Sequence, residues 1–567
     1  MKTGNRHAWK WIVCMVACLA FAAGCSGNSD PGNSQADGNK GKTESKLVNG
    51  KFEPPITITT AFSVGSDTKF KEGESAEDNV MIRWGREKLG IDVKPLWVVA
   101  SENEGYDQKL KLTLSAGDKM PDVVATTNKM TANMLMESGL FKDIKEDFRT
   151  YASERIQKLY ESNASVWNSV SKDGKYMALP TMTEGINLDS VMWVRQDWLD
   201  KLGLKAPETI EDYEKVMDAF VNQDPDGNGA KDTIGMSISL KSRVTTWMTE
   251  GSFIFGAYGN AYPSQWGKAA DGSLEYGSIQ PSVKQGLSKL AEWYKKGYID
   301  PEAATYDEIK ATESFIQGKS GILFGAFWMP DWPLNELYKN DPKAVMKAYP
   351  VPAGPDGKRG IRGSDSVNRW ILFNKDFHHM DAFFLYMDHL YGPSLYDETS
   401  EFKYGAFEGY DYVMVDGKPS IDEKDFPDGR RIPKPFDYSL SGGGFEEVPP
   451  GVVPDEKNPK LRALKGIVET PYDQKAASKG MVYNAAYKIA YEQRKYASPN
   501  LFTAPPTATM ESKLSFLDKM ELETFNKIIY GTAPLDVFDQ FVKDWKSNGG
   551  DQITAEVNEW WKSAGGQ

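Results

Sequence analysis

Nine consecutive residues, Asp224-Pro225-Asp226-Gly227-Asn228-Gly229-Ala230-Lys231-Asp232, set side-chain oxygens at positions 1, 3, 5 and 9, glycine at position 6 and a main-chain carbonyl at position 7. A hard cation such as Ca²⁺ wants about six to eight oxygens, and alternate residues of a tight loop aim theirs inward. Gly229 permits the turn. The residue at position 12 is Gly235, so the bidentate Glu of a full EF-hand is missing. The pattern predicts a structural Ca²⁺ site held by Asp224, Asp226, Asn228, Ala230 and Asp232. The competing reading is an Asx-rich turn after a helix.

Other chemistries find little support. The chain has no G-x-S-x-G, H-E-x-x-H, G-x-x-x-x-G-K-[ST] or C-x-x-C pattern, which are the arrangements that carry nucleophilic, zinc, phosphate or redox chemistry. His378 and His379 are neighbours that point in different directions, and with His389 they fall in a segment expected to be a surface helix. Aromatic residues are plentiful, with 16 Trp and 26 Tyr. A surplus beyond packing suits pyranose rings, whose C–H faces lie on aromatic faces while their hydroxyls need polar partners. The formal charge of −13 disfavours a phosphate backbone and excludes nucleic acid as a partner.

The elements that must position these residues begin after a leader. Lys2, Arg6 and Lys10 precede thirteen apolar residues from Trp11 to Ala23, too few to span a membrane and suited to a signal peptide over 1–24. Ala22-Ala23-Gly24-Cys25 resembles the lipobox at which bacterial lipoproteins are cut and acylated, palmitate being a typical chain. Cys25 is therefore the expected lipid anchor on the extracytoplasmic face of the cell membrane. Residues 26–50 hold no aromatic residue and read as a flexible linker. Strands at 56–62, 91–97 and 122–126 alternate with helical stretches, which implies βαβ units on a mostly parallel sheet. Thr209 is an N-cap ahead of Tyr213, Val216, Met217 and Phe220, spaced as one buried helix face. Further strands are expected at 320–328 and 369–373, and the last stretch is helical. The fold class is α/β.

Several segments in this order resemble a family. Gly174 to Pro180 followed by Trp193 to Leu204 looks like an interlobe crossover. Phe315 to Gly321 leading to Phe327-Trp328 is similar to the segment that delivers a sugar-stacking tryptophan. Tyr404 to Tyr412, and Phe541 to Trp545 through Val557 to Trp560, resemble signatures of a long, helix-rich branch. The family is that of the extracellular solute-binding lipoproteins of ABC-type sugar importers, in the branch similar to alginate- and oligosaccharide-binding proteins.

The resemblance implies a two-lobed, periplasmic-binding-protein-like (type II) fold with a hinge, a helix-rich second lobe and C-terminal helices. The first lobe is expected at 51–185 and 366–402, the second at 186–365 and 403–567. It implies a monomer that binds an oligosaccharide between the lobes and delivers it to ABC permease subunits. Trp328 is placed by it as the stacking ring, with Trp332, Trp370 beside Arg369, and Trp247 as further candidates, and Trp266 and Tyr258 behind them. Glu184, Asp67 and Asp365, near strand ends or in the loops after them, are placed to accept sugar hydroxyls. Trp84, Trp198, Trp293 and Trp545 sit in amphipathic helices and read as core. The family's calcium loops close at positions 9 and 10, often with an acid at 10, where this chain has Thr233. Two rivals stay open: a cell-surface glycoside hydrolase or polysaccharide lyase, since a pair of carboxylates is always available among 80 acids, and a ligand sensor for a membrane receptor.

Overall fold

The structure, a computed structural model, describes residues 45–564 apart from 66–67, 260, 429–433, 446–447, 450 and the side chain of Asn103. The expected signal peptide, Cys25 and the linker up to 44 lie outside the described residues. The last of the expected linker is ordered: Lys46–Val48 pairs antiparallel with Lys51–Glu53. Asn49 and Gly50 between them have φ of 52° and 79°, the left-handed pair that a two-residue hairpin turn demands.

β1 (Ile56–Val64) buries Ile56 and Ile58 and exposes Thr57 between them. α1 (Val80–Trp84) starts at Asn79, whose side-chain oxygen accepts from Met81 N and Ile82 N, and the turn that follows ends at Gly90 with φ 66°. β2 (Ile91–Ala100) then runs parallel to β1, with Ile56 opposite Ile91, as the βαβ reading expects. α2 (Gly105–Ala116), β3 (Val123–Thr126), α3 (Lys129–Glu137) and β4 (Leu179–Met182) complete the first pass through this lobe. The Asp122 carboxylate ties β1 to β3, accepting from Thr59 N at 2.8 Å and Thr59 Oγ1 at 2.6 Å.

The chain crosses at 183–190 into the second lobe. β5 (Val191–Arg195) is central there, antiparallel to β6 (Ile322–Gly325) and β7 (Met346–Tyr349). α4 (Ile210–Asn222) is capped by Thr209 Oγ1, which accepts from Asp212 N at 3.1 Å, and buries Tyr213, Val216, Met217 and Phe220 as its spacing predicts. α5 (Pro281–Lys295) packs Trp293 into the same core. The chain returns at 350–366 into β8 (Val367–Phe373), which lies between β3 and β4 and is antiparallel to both. The expected mostly parallel sheet is therefore not what forms: β1 and β2 are a parallel pair, while β3, β8 and β4 make a separate antiparallel sheet, because the strand that comes back from the other lobe enters in the reverse direction.

α6 (Met380–Tyr391) follows. It is a core helix, not the expected surface one: Phe383, Phe384, Tyr386 and Met387 are all buried. α7 (Pro459–Leu464), α8 (Pro471–Ser478) and α9 (Gly480–Gln493) precede the C-terminal group α10 (Ala508–Ile529), α11 (Val537–Trp545) and α12 (Asp551–Ser563). Gly549, at φ 128°, breaks the last two apart. The first lobe has one apolar core and the second has two, on opposite faces of β5. Tyr438, Leu440 and Val448 join the first core, although the sequence reading gives everything from 403 onward to the second lobe. Among the described residues no helix is long and apolar enough to cross a membrane.

Candidate functional site

β6 stops at Gly325, three residues short of the expected strand end, and the chain turns there. A Cβ at Gly325 would meet the Met329 sulfur at 2.5 Å, so the turn closes tightly. It delivers Trp328 and Trp332 beside Trp247. The three indoles are nearly parallel: Trp247 and Trp328 have centroids 6.0 Å apart at 23°, Trp247 and Trp332 6.2 Å at 8°, Trp328 and Trp332 6.5 Å at 15°. Trp332 is 48% exposed. Trp328 is anchored, its Nε1 donating to Asn187 O at 2.7 Å, a carbonyl of the first crossing. Such a cluster offers an apolar face of the kind a sugar ring covers.

Beneath it, Phe327 meets Tyr483 and Tyr487 edge to face at 5.5 and 5.2 Å. Lys460 Nζ lies 4.2 Å from the Tyr487 ring centroid and donates to Glu184 Oε1 at 3.1 Å. Both partners are buried, so the pair is held away from water. Lys460 and Tyr483 also line a cavity of about 200 Å³, together with Phe445, Lys403, Lys475 and Lys479. Aromatic rings and polar heads are therefore contiguous from Trp247 to Phe445. Sequence reasoning missed Lys460, Tyr483 and Asn187. Nothing in their local sequence sets them apart; they come from α7, α9 and a crossing, and meet only in the fold.

The other expected residues separate. Arg369 and Trp370 are neighbours on β8, so their side chains take opposite faces of the sheet. Arg369 Nη1 donates to Gly444 O at 3.4 Å, next to Phe445. Trp370 is buried and turns the other way, its Nε1 donating to Ser169 Oγ at 3.4 Å. With Asp365 it lines a separate cavity of about 230 Å³. Asp67 lies outside the described residues. Trp266 and Tyr258 pack in or against the second core, as do Trp198, Trp293 and Trp545. Trp84 is half-buried and donates to Glu401 Oε2 at 3.0 Å.

In the Asp224 loop, Gly227 N and Gly229 N donate to the Asp224 carboxylate at 3.0 and 3.1 Å. Asn228 Nδ2 donates to Asp226 Oδ2 at 2.6 Å and to Asp232 Oδ1 at 3.2 Å, and Asn228 Oδ1 accepts from Ala230 N at 2.6 Å. Burial, and then the Asp224 carboxylate beside it, raise the Asp226 carboxyl above its ordinary range. Two acids, Asp226 and Asp232, thus converge on one amide, with Asp224 beside Asp226. This donor set fits a hard divalent cation, which would take over the neutralising role of the Asn228 amide. The fit is incomplete: the Thr233 hydroxyl turns away and donates to Phe220 O at 2.7 Å. Among the described residues no three His, Cys, Asp or Glu side chains form a ready metal cluster.

A family model described as "Bacterial extracellular solute-binding protein" matches residues 68–396. The chain belongs to that family. Among relatives of this solute-binding protein, the polygalacturonan/rhamnogalacturonan-binding protein YtcQ of Bacillus subtilis (strain 168) is 22% identical over 581 residues, covering 99% of this chain and 100% of YtcQ. The fructooligosaccharide ABC transporter substrate-binding protein FusA of Streptococcus pneumoniae is 26% identical over 273 residues, 46% of this chain and 48% of FusA. Of solved structures, an HMO-binding, ABC-transporter-associated solute-binding protein from Bifidobacterium longum infantis aligns with a TM-score of 0.63 at 18% identity, over 90% of this chain and 99% of that one. That likeness shows the fold: the two-lobed, type II arrangement with its hinge crossings.

Proposed function

We propose that this solute-binding protein captures an oligosaccharide on the platform formed by Trp247, Trp328 and Trp332, holds it between the lobes without cutting it, and delivers it to an ABC importer. The three near-parallel indoles with Trp332 half exposed are the observation that carries this reading. Relatives named for polygalacturonan and fructooligosaccharide binding support the substrate class. A lipid on Cys25 keeps the protein at the membrane. Ca²⁺ in the Asp224 loop braces the second lobe; the solved structures of similar fold include alginate-binding AlgQ2 without calcium ion and an EF-hand mutant of FusA, which supports a calcium role for this loop.

Glu184 stands in an ion pair with Lys460, an arrangement suited to recognising sugar hydroxyls. The test is calorimetry against galacturonan, rhamnogalacturonan and fructan fragments, with product analysis of the same mixtures. Trp332→Ala should weaken the best ligand by about 2–4 kcal/mol, the range of interface hot spots, with little change in melting temperature because the ring is half in solvent. Release of shorter sugars from the best ligand, or full affinity in the variant, overturns the reading.

A further inference from the structure

The first crossing both anchors the tryptophan platform and grips the returning crossing. Asn187 O holds the Trp328 ring. Two residues on, the buried Asp189 is tied to 350–366 through Ser364, whose Oγ donates to Asp189 Oδ1 at 2.7 Å and accepts from Leu188 N at 2.9 Å. Thr183 makes a second tie, its N donating to Ser366 O at 3.1 Å and its Oγ1 to Asp365 O at 3.0 Å. A shift of Asp189 against the returning crossing therefore moves the carbonyl that anchors Trp328.

Charge at this joint is unevenly matched. Three titratable or charged groups face Asp189: Glu250, Tyr262 and Arg362. Glu250 is buried and accepts from Ser190 Oγ at 2.6 Å, Ser252 N at 2.6 Å and Ser252 Oγ at 2.8 Å, a set of donors that suits a charged carboxylate. The Tyr262 hydroxyl is buried without a partner, and burial holds it neutral. It backs onto the returning crossing at Gly360, where a Cβ would meet it at 2.4 Å. Arg362, on that same crossing, makes no ion pair among the described residues, and its charge acts on both acids. Two acids thus share one cation. With Glu250 charged, Arg362 balances it and Asp189 fits as the neutral acid. Its Oδ2 has no partner, and stranding a charge there costs far more than stranding a neutral group.

We propose that Asp189 is a proton-controlled positioning residue for ligand binding, setting the joint between the crossings and, through Asn187, the Trp328 ring. Neutral, it keeps the crossings and the three indoles as described above. Charged, it is drawn with Arg362 across the joint, the crossings shift, and the platform loses its alignment. Oligosaccharide affinity therefore falls as pH rises through the range, about 7, in which Asp189 gives up its proton. By linkage, binding above that range takes up a proton. The effect on affinity rests on the proposed function; the movement of the joint does not.

Calorimetry at pH 6 and pH 8.5 uses whichever galacturonan, rhamnogalacturonan or fructan fragment binds; none of these titrates in that range, since free carboxyls ionise well below it. The parent should bind about fivefold or more weakly at the higher pH, with a heat that varies with the buffer's ionisation enthalpy. Asp189→Asn should bind equally at both. Arg362→Gln removes the balancing cation, so the midpoint of the pH profile should rise; this variant decides if Asp189→Asn folds poorly. Glu521→Gln alters a buried acid whose bonds go to Ser264 and Tyr276 and not to a crossing, and should keep the parent's profile. Small-angle scattering of the ligand-free protein reads the joint without any sugar: the radius of gyration should differ between the two pH values in the parent and not in Asp189→Asn. If no fragment binds, the proposed function fails and the scattering alone decides. A parent whose affinity or radius is the same at both pH values, a pH dependence that persists in Asp189→Asn or vanishes in Glu521→Gln, or an unmoved midpoint in Arg362→Gln overturns the inference.

Discussion

Asp189 ends the first crossing and is 1% exposed. Its Oδ1 accepts from Ser364 Oγ at 2.7 Å, a bond that joins the two crossings, while Oδ2 has no partner. Burial pushes its carboxyl up to about 7, with Ser364 and Arg362 pulling down and Glu250 pushing up. Glu521 on α10 is likewise pushed up to about 7 by burial. An acid held above its unfolded value binds its proton more tightly in the native state. Its contribution is full below the unfolded pKa near 4 and is lost as pH rises toward 7, after which the curve is flat. Melting temperature should therefore fall between pH 5 and pH 8. Asp189→Asn keeps an acceptor for Ser364 and never ionises, so it should make that slope shallower, the remainder being Glu521's, and lose less stability than the parent between pH 5 and pH 8. A parallel pair of pH–melting curves would reject this.

The Asp224 loop follows α4 and leads back toward β6, and Lys201 Nζ grips it from outside by donating to Asp224 O and Pro225 O at 3.0 Å each. If Ca²⁺ binds only the folded loop, a hundredfold excess over Kd adds about 2.7 kcal/mol. Chelator should lower the melting temperature of the parent, and the melts of Asp226→Ala with and without chelator should coincide. Elements like this were the legible part of the chain. β1, the Thr209 cap and the α4 face follow from alternation and spacing within a dozen residues, and the acid loop is contiguous. The direction of β8 was not legible, because antiparallel pairing with β3 and β4 depends on where the chain re-enters a lobe it left at 183. The histidines around α6 suggest a surface helix, yet its apolar residues surround it and bury it. At the site, Trp247, Trp328 and Trp332 were picked individually. Their partners Lys460 and Tyr483 were not, since contacts across more than a hundred residues leave no local trace.

Lobes with separate apolar cores, joined by crossings, meet the condition for hinge motion: each moves as a packed unit while a few backbone torsions change. A ligand that touches both lobes shifts the population toward the closed form by its extra contacts there. Small-angle scattering should show a smaller radius of gyration with a binding oligosaccharide than without. The Trp332→Ala protein should need more ligand to reach the same compaction and, once saturated, should reach it fully. A radius that is constant across a saturating titration would mean that the ligand is held by one lobe alone.

Three indoles at 6.0–6.5 Å and within 23° of parallel also form an optical device. Their transition dipoles are close enough to couple, and one of them is wired by its N–H to the Asn187 carbonyl on a moving crossing. The protein therefore carries its own spectroscopic gauge of occupancy and hinge angle. Its near-ultraviolet dichroism should show a coupled tryptophan band that shifts when ligand binds and weakens in Trp332→Ala, where only the Trp247–Trp328 pair is left to couple, without dye or label.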